Sequence, residues 1–301
     1  MSKRIAVLGD GYWGRALASL ARDCGHEVSV WSRKQPDTKA VATAEAIIIA
    51  LPAQVIDHVV RGLPVSKNAA LIITAKGIEQ QSLRFMHEVV GEAVAPAEVY
   101  ILSGPSFASD VQKKLPTAVT LAGPTLVAAT TWAKALSLPT FRIYGSDDLM
   151  GVALGGSLKN VLAIACGISD GRNLGESARA ALIARGFSEL TRLGKNLGAR
   201  PETLMGLSGL GDLLLTCSSP QSRNYGFGLH VGQGMTVQQA LAAASGVVEG
   251  VYSAQAAVAL AKRHSIDMPI SQAVYAVVEG GATPDDVINA LLARPVVREV
   301  L

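Results

Sequence analysis

Residues 4–14 read Arg-Ile-Ala-Val-Leu-Gly-Asp-Gly-Tyr-Trp-Gly, an apolar β-rich run that breaks into Gly9-x-Gly11-x-x-Gly14 and continues into a helix-forming stretch over 13–24. Strand, glycine turn and helix in direct succession predict a βα unit whose turn faces a ligand. The three glycines permit the tight turn, close approach of backbone to a pyrophosphate and close helix-on-strand packing, while the helix N-terminus offers free N–H groups to the anion. A GxGxxG without that setting would be an ordinary glycine-rich turn; with it, Gly9, Gly11 and Gly14 predict a dinucleotide-binding turn.

Further along, a second strand over 27–31 ends in Trp31-Ser32-Arg33-Lys34. An NAD-specific site holds Asp or Glu there for the ribose 2′-hydroxyl, whereas two cations suit a 2′-phosphate. Read blandly, Arg33 and Lys34 are solvated loop residues. More strands are expected at 46–51, 69–74, 99–102, 117–121 and 140–144, alternating with helical stretches, the pattern of a doubly wound, mostly parallel sheet covered on both faces. Residues 1–145 therefore form an expected α/β Rossmann domain. From 146 to 301 the strand signal gives way to Ala/Leu/Gly-rich helical runs, an all-α second domain. Its longest helix, 149–168, is apolar nearly all round and should lie centrally.

Two short motifs follow strand ends, Ala75-Lys76-Gly77 and Ser103-Gly104-Pro105-Ser106-Phe107-Ala108. Ligands of open α/β sheets bind at that edge, although each motif alone reads equally as a turn. Lys159 is more telling. A lysine deep in an apolar helix is costly unless it faces a polar cleft with partners, and a lysine so placed can act as general acid or base; the bland alternative is snorkelling, commoner near helix ends. Gly155 and Gly156, one turn earlier, weaken the helix and suggest that a ligand or another backbone packs there. The last dense cluster runs from Gly206 through Asp212 to Ser222-Arg223-Asn224. An Arg fork beside Asn and Ser suits a phosphate, and Asp212 could bond a substrate hydroxyl or pair with a lysine. Without these neighbours the segment reads as a glycine-rich interhelical loop with a capping Asp.

Composition excludes much else. The 301 residues are 49% hydrophobic and 17% charged, so the chain is globular. Twenty-seven Lys+Arg against 24 Asp+Glu leave +3, scattered, which gives no nucleic-acid footprint. Cys24, Cys166 and Cys217 form no CxxC pair, which signals neither a disulfide framework nor a metal site and suits the cytoplasm. No signal peptide is expected at the N-terminus, and the uncharged run near 115–133 is broken by Pro116, Gly123 and Pro124, so no membrane insertion is expected. The five histidines lie outside the clusters, and no Ser/His/Asp order supports hydrolysis.

Taken together, the motifs resemble the bacterial-type NAD(P)-dependent glycerol-3-phosphate dehydrogenases over almost the full length. The resemblance rests on GDGYWG (9–14), AKG (75–77), SGPSFA (103–108), SLKNVLAIACGISDG (157–171), GLSGLGDLLLTCSS (206–219), SRN (222–224) and VVEGV (247–251). It implies a helical domain like that of 6-phosphogluconate dehydrogenase, and NADPH- or NADH-dependent interconversion of dihydroxyacetone phosphate and sn-glycerol 3-phosphate for phospholipid synthesis, without a metal. By resemblance Lys159 is the proton donor and acceptor. Lys76 touches substrate and cofactor, and Gly104, Ser106, Asp212, Ser222, Arg223 and Asn224 touch substrate. Trp13, Arg33, Ala108, Arg223 and Glu249 touch cofactor. The active site is expected in the domain cleft, and the apolar C-terminal helices leave room for a homodimer. Between Arg33 and Ala46 the chain is shorter than the family by about one helix and one strand, judged against the usual βαβ size, which leaves the strand order open. Two other readings compete: a related dehydrogenase acting on a carboxylate, which an Arg-Asn pair also binds, and a nucleotide-sensing regulator, which would need the glycine turn but not Lys159.

Overall fold

The computed structural model describes residues 1–95 and 97–295, so the last residues of the expected helical domain, 296–301, lie outside the described residues. Contact clustering divides the chain into two compact units. The first comprises Met1–Glu79 with Arg84–Ala153, the second Gln80–Leu83 with the chain from Leu154 onward.

The first unit is built on seven strands: β1 (Arg4–Leu8), β2 (Glu27–Trp31), β3 (Ala46–Ile49), β4 (Ala70–Ile73), β5 (Glu98–Ser103), β6 (Thr117–Ala122) and β7 (Phe141–Ser146). Between them run α1 (Tyr12–Asp23), α2 (Thr38–Thr43), α3 (Ile56–Arg61), α4 (Met86–Ala93), α5 (Ala108–Gln112) and α6 (Leu126–Leu136). The sheet order is β2-β1-β3-β4-β5-β6-β7, parallel throughout except for the antiparallel β5–β6 pair. Alternate residues of β1, β3 and β4 enter opposite cores. Ile5, Val7, Ile48 and Ile72 pack with Leu17 and Leu20 of α1. Ala6, Leu8, Ile47, Ile49, Leu71 and Ile73 pack with Ile56, Val60 and Val89 on the other face. That double burial is why these strands are continuous apolar runs without alternation.

The shortened segment is resolved by this order. A doubly wound sheet of the 3-2-1-4-5-6 type carries a strand outside its second strand. Here β2 is the edge, and the chain passes from it through a two-residue turn closed by mutual Ser32–Gln35 backbone bonds and the single short helix α2 into β3 on the far side of β1. The missing strand is thus the outermost one, and the pairing of β1 with both neighbours is intact.

The second unit holds α7 (Leu149–Gly171), α8 (Glu176–Asn196), α9 (Pro201–Met205), α10 (Asp212–Cys217), α11 (Arg223–Gly232), α12 (Val237–Ala243), α13 (Glu249–Arg263), α14 (Pro269–Val278) and α15 (Pro284–Leu292), with α7 beginning in the first unit. By length and composition α7 could cross a membrane, yet 83% of its most apolar window is buried in protein, the state of a core helix. It runs one turn beyond the expected 168. The glycine-rich stretch before Asp212 is not a loop but a π-helical turn, Leu207–Gly211, leading directly into α10.

α14 lacks a capping side chain at its own N-cap, Met268. Glu189 of α8, 1% exposed, takes that role from a distance. Its carboxylate accepts from the Ile270 and Ser271 amides at 2.6 and 3.2 Å and from the Ser271 hydroxyl at 2.9 Å. Burial pushes the Glu189 carboxyl above the usual carboxylate range, against the pull of these donors. The folded state therefore binds more protons than the unfolded chain in the window between the ordinary and the raised value, so Glu189 makes stability fall as pH rises through it. Urea unfolding at a series of pH values across that window should show this decline in the wild type and its loss in Glu189→Gln.

Candidate active site

Strands β1, β2, β4 and β5 are mutually parallel in the sheet, so the turns that follow them emerge along one edge. That geometry gathers four of the sequence motifs: the glycine turn after β1, Arg33-Lys34 after β2, Ala75-Lys76-Gly77 after β4, and Ser103–Ala108 after β5.

The glycine turn fits a dinucleotide's pyrophosphate. Gly9 has φ +116°, and a Cβ there would stand 2.5 Å from the Ala50 carbonyl oxygen; one at Gly14 would run into the Gly9 carbonyl. Gly11, the exposed N-cap of α1, has open space in front of it, and no side chain caps the helix. Unfilled room before uncapped helix amides is where an anion belongs. Trp13 is half-buried and, like Ala108 at the start of α5, leans on the first core. Arg33 and Lys34 sit exposed at the tip of the Ser32–Gln35 turn, with no ion pair among the described residues. Lys76 is half-buried and donates from Nζ to the Gly104 carbonyl at 3.1 Å, an oxygen that also accepts from Ser106 Oγ at 3.2 Å.

In the second unit, Lys159 is 6% exposed at the middle of α7. Its ammonium donates to Asp212 Oδ1 and, at 2.7 Å, to Thr216 Oγ1. Asp212 and Thr216 are one turn apart on α10 and are 1% and 4% exposed. The Thr216 hydroxyl lies 2.6 Å from the Asp212 carbonyl. What lets α10 come so near is Gly155, one turn before Lys159: a Cβ there would meet the Ser208 carbonyl at 2.5 Å, so the backbone of the π-helical turn lies directly on α7.

The Ser222-Arg223-Asn224 motif opens α11. Ser222 is the N-cap, its hydroxyl accepting from the Tyr225 amide. Asn224 is buried, donating to Asn160 Oδ1 and accepting from the Gly250 amide, both at 2.9 Å, and so ties α11 to α7 beside Lys159 and to α13 beside Glu249. Arg223 is exposed and unpaired among the described residues; its guanidinium lies against Gly246. Asn160 and Thr216 are site residues that motif reading passed over. The i, i+4 spacing of Asp212 and Thr216 on one helix was the available signal for the second; nothing but adjacency to Lys159 marked the first. Cys166 and Cys217 are free and buried together behind this cluster, and burial and their mutual contact push the Cys217 thiol up, which makes it a poor nucleophile. Among the described residues no group of His, Cys, Asp and Glu could hold a metal ion.

Comparison with known proteins agrees with this arrangement. The family model described as NAD-dependent glycerol-3-phosphate dehydrogenase C-terminus matches residues 148–289, and its N-terminal counterpart matches in two stretches, 4–41 and 35–128, which meet at the shortened segment. A glycerol-3-phosphate dehydrogenase of the NAD(P)+ type from Parvibaculum lavamentivorans is 46% identical over 97% of both chains. One from Methylobacterium radiotolerans is 47% identical over 97% of this chain and 96% of its own. The crystal structure of glycerol-3-phosphate dehydrogenase from Coxiella burnetii superposes with a TM-score of 0.92 at 35% identity, covering 97% of this chain and 99% of that one. With both halves matched in order and relatives this similar along their whole length, the chain belongs to the NAD-dependent glycerol-3-phosphate dehydrogenase family.

Proposed function

We propose that this chain reversibly reduces dihydroxyacetone phosphate to sn-glycerol 3-phosphate with NADPH or NADH, supplying the glycerol phosphate backbone for phospholipids, and that Lys159 is its proton donor. The observation that carries the reading is the buried ammonium of Lys159, held by a carboxylate and a hydroxyl in the middle of an apolar helix. The bound nicotinamide supplies the hydride for the ketone carbon. Lys159 gives its proton to the oxygen that becomes the alkoxide, and takes it back in the reverse direction. Asp212 and Thr216 fix the direction of the ammonium. Arg223, without an ion pair among the described residues, offers a fork to the substrate phosphate, a grip remote from the reacting carbon whose binding energy holds the near-attack geometry. Asn224 and Ser222 set the start of α11 that carries it. By resemblance Gly9, Gly11, Trp13, Gly14, Ala108 and Glu249 are cofactor contacts, and Lys76, Gly104 and Ser106 substrate contacts. Cytoplasmic residence and a homodimer belong to the same reading; the three free cysteines suit a reducing compartment.

Lys159→Ala should lower kcat by roughly two to four decades, the range for a positioned acid, with NADPH affinity nearly unchanged in a fluorescence titration. Asp212→Asn should instead cost about 3–5 kcal/mol of folding stability in urea, because it leaves the ammonium buried without its counter-charge. Arg223→Ala should lose roughly 1.5–3 kcal/mol in kcat/KM for dihydroxyacetone phosphate and little for unphosphorylated dihydroxyacetone. Equal loss on both substrates would remove the phosphate role.

The cofactor preference is a separate test. Arg33 and Lys34 present two cations and no acid, so NADPH should serve at least as well as NADH, by a margin that shrinks with added salt. The Arg33→Ala, Lys34→Ala double variant should bring the NADPH/NADH ratio of kcat/KM toward one. An unchanged ratio would show that the 2′-phosphate is not read there.

A further inference from the structure

Helices α7 and α11 meet backbone to backbone. A Cβ on Gly167 would stand 2.7 Å from the Leu229 amide nitrogen, and one on Gly171 2.5 Å from the Leu229 carbonyl. From the other side, a Cβ on Gly232 would reach the Ile168 carbonyl at 2.5 Å, and one on Gly228 the backbone of Ile164. Each helix contributes two glycines four residues apart. Such a seam brings the axes close, and beside it Phe227 and Val231 of α11 share a core with Val161, Ile164 and Ile168 of α7. Yet α11 must hold a fixed rotation, because its first residue is Arg223 and its second is Asn224, bonded beside Lys159.

To that non-directional packing two polar pins add direction. One is the Asn224 amide on Asn160, already described. The other lies ten residues further along α7, about 15 Å at the helical rise. There Asp170 Oδ2 accepts from the Tyr225 hydroxyl at 2.5 Å and from Arg179 Nη1 of α8, also at 2.5 Å. Tyr225 is 8% exposed, and burial together with the Asp170 carboxylate pushes its phenol up to about 12, so it remains a donor throughout the working pH range. Asp170 in turn is anchored from a third helix, which makes it a fixed point for α11 and not a passenger of it. Asn224 and Tyr225 are consecutive, so the first turn of α11 is clamped in two directions at the residues immediately after Arg223.

We propose that Asp170 is a positioning residue for phosphate recognition: through Tyr225, and braced by Arg179, it fixes the rotation of α11 that aims the Arg223 guanidinium. This rests on the functional reading above, in which Arg223 grips the substrate phosphate. Its consequence is specific. Loosening the pin affects what Arg223 does and leaves Lys159, held independently by Asp212 and Thr216, in place.

Tyr225→Phe removes one hydroxyl, and Asp170→Asn removes the charge at constant size. Steady-state kinetics with dihydroxyacetone phosphate and with unphosphorylated dihydroxyacetone should show each variant raising KM for the phosphorylated substrate about three- to tenfold, the loss of one charge-assisted contact's aim, with kcat within about twofold. kcat/KM for the unphosphorylated substrate should not move. In an Arg223→Ala background neither substitution should have any further effect on KM, and the thermal midpoint serves to confirm folding; if Asp170→Asn does not fold, Tyr225→Phe alone carries the comparison. A KM unchanged by Tyr225→Phe, equal losses on both substrates, or an effect that persists undiminished without Arg223 overturns the inference. A wild-type enzyme that fails to favour the phosphorylated substrate overturns the functional reading and this inference together. A discriminating wild type whose discrimination survives the substitutions overturns the inference alone.

Discussion

One ammonium in the middle of an apolar helix constrains the whole second unit. An isolated charge at the depth of Lys159 would cost far more than a domain's net stability allows, so its partners have to be built around it. α10 supplies both, Asp212 and Thr216 on successive turns. To reach them, α10 has to approach α7 at backbone distance, which the absent side chain at Gly155 permits and the π-helical turn Leu207–Gly211 delivers. Inserting that turn ahead of α10 sets which face of the helix meets α7. Irregular helix at a functional position is a common device, and here it has an identifiable steric partner.

Legibility in the sequence followed the range of the interaction. β1, β3 and β4 are visible because strands buried on both faces must be apolar throughout, and the glycine turn is visible because Gly9 and Gly14 face backbone that no Cβ can share. Lys159 was visible as an anomaly, a cation in a stretch with no other. The partners of these residues were not. Nothing in the spacing of Asn160 and Asn224, 64 residues apart, or of Asp170 and Tyr225, 55 apart, marks them as bonded pairs. Gly155 reads as a helix-weakening residue because its compensation lies elsewhere, in the backbone of Ser208 and Gly209. Taken without its neighbours the π-helical turn reads as a loop for the same reason: glycines at 206, 209 and 211 argue for a break, and its backbone packs against Gly155 of α7.

The shortened segment shows which part of the first unit is dispensable. A strand outside β2 adds cover to the sheet but carries none of the turns that follow β1, β4 and β5. Removing an edge strand exposes a new edge, and β2 meets that exposure by being short, five residues, half-buried, and bounded by Glu27 at one end and Arg33-Lys34 beyond the other. Short, charge-flanked edges resist unwanted pairing. The register of β1 against β2 and β3 is set by side chains on both faces, Ile5 and Val7 on one and Ala6 and Leu8 on the other, so it does not depend on an outer neighbour.

What the loss changes is the support of the β2 turn. Arg33 and Lys34 project from a two-residue turn closed by Ser32 and Gln35, followed after Pro36 by a helix of only six residues whose N-cap is Asp37. A longer relative can back this turn with further chain; here the guanidinium and ammonium stand in water. Cations so exposed attract a 2′-phosphate through a high dielectric, where a charge pair is worth little and salt screens it. A pyrophosphate at the glycine turn, by contrast, would meet backbone amides fixed by the β1–α1 turn and held by the sheet itself. In the proposed function the two ends of the dinucleotide would therefore be held by different physics: a rigid backbone cradle that any NAD or NADP shares, and a solvated pair of charges that can only bias the choice between them.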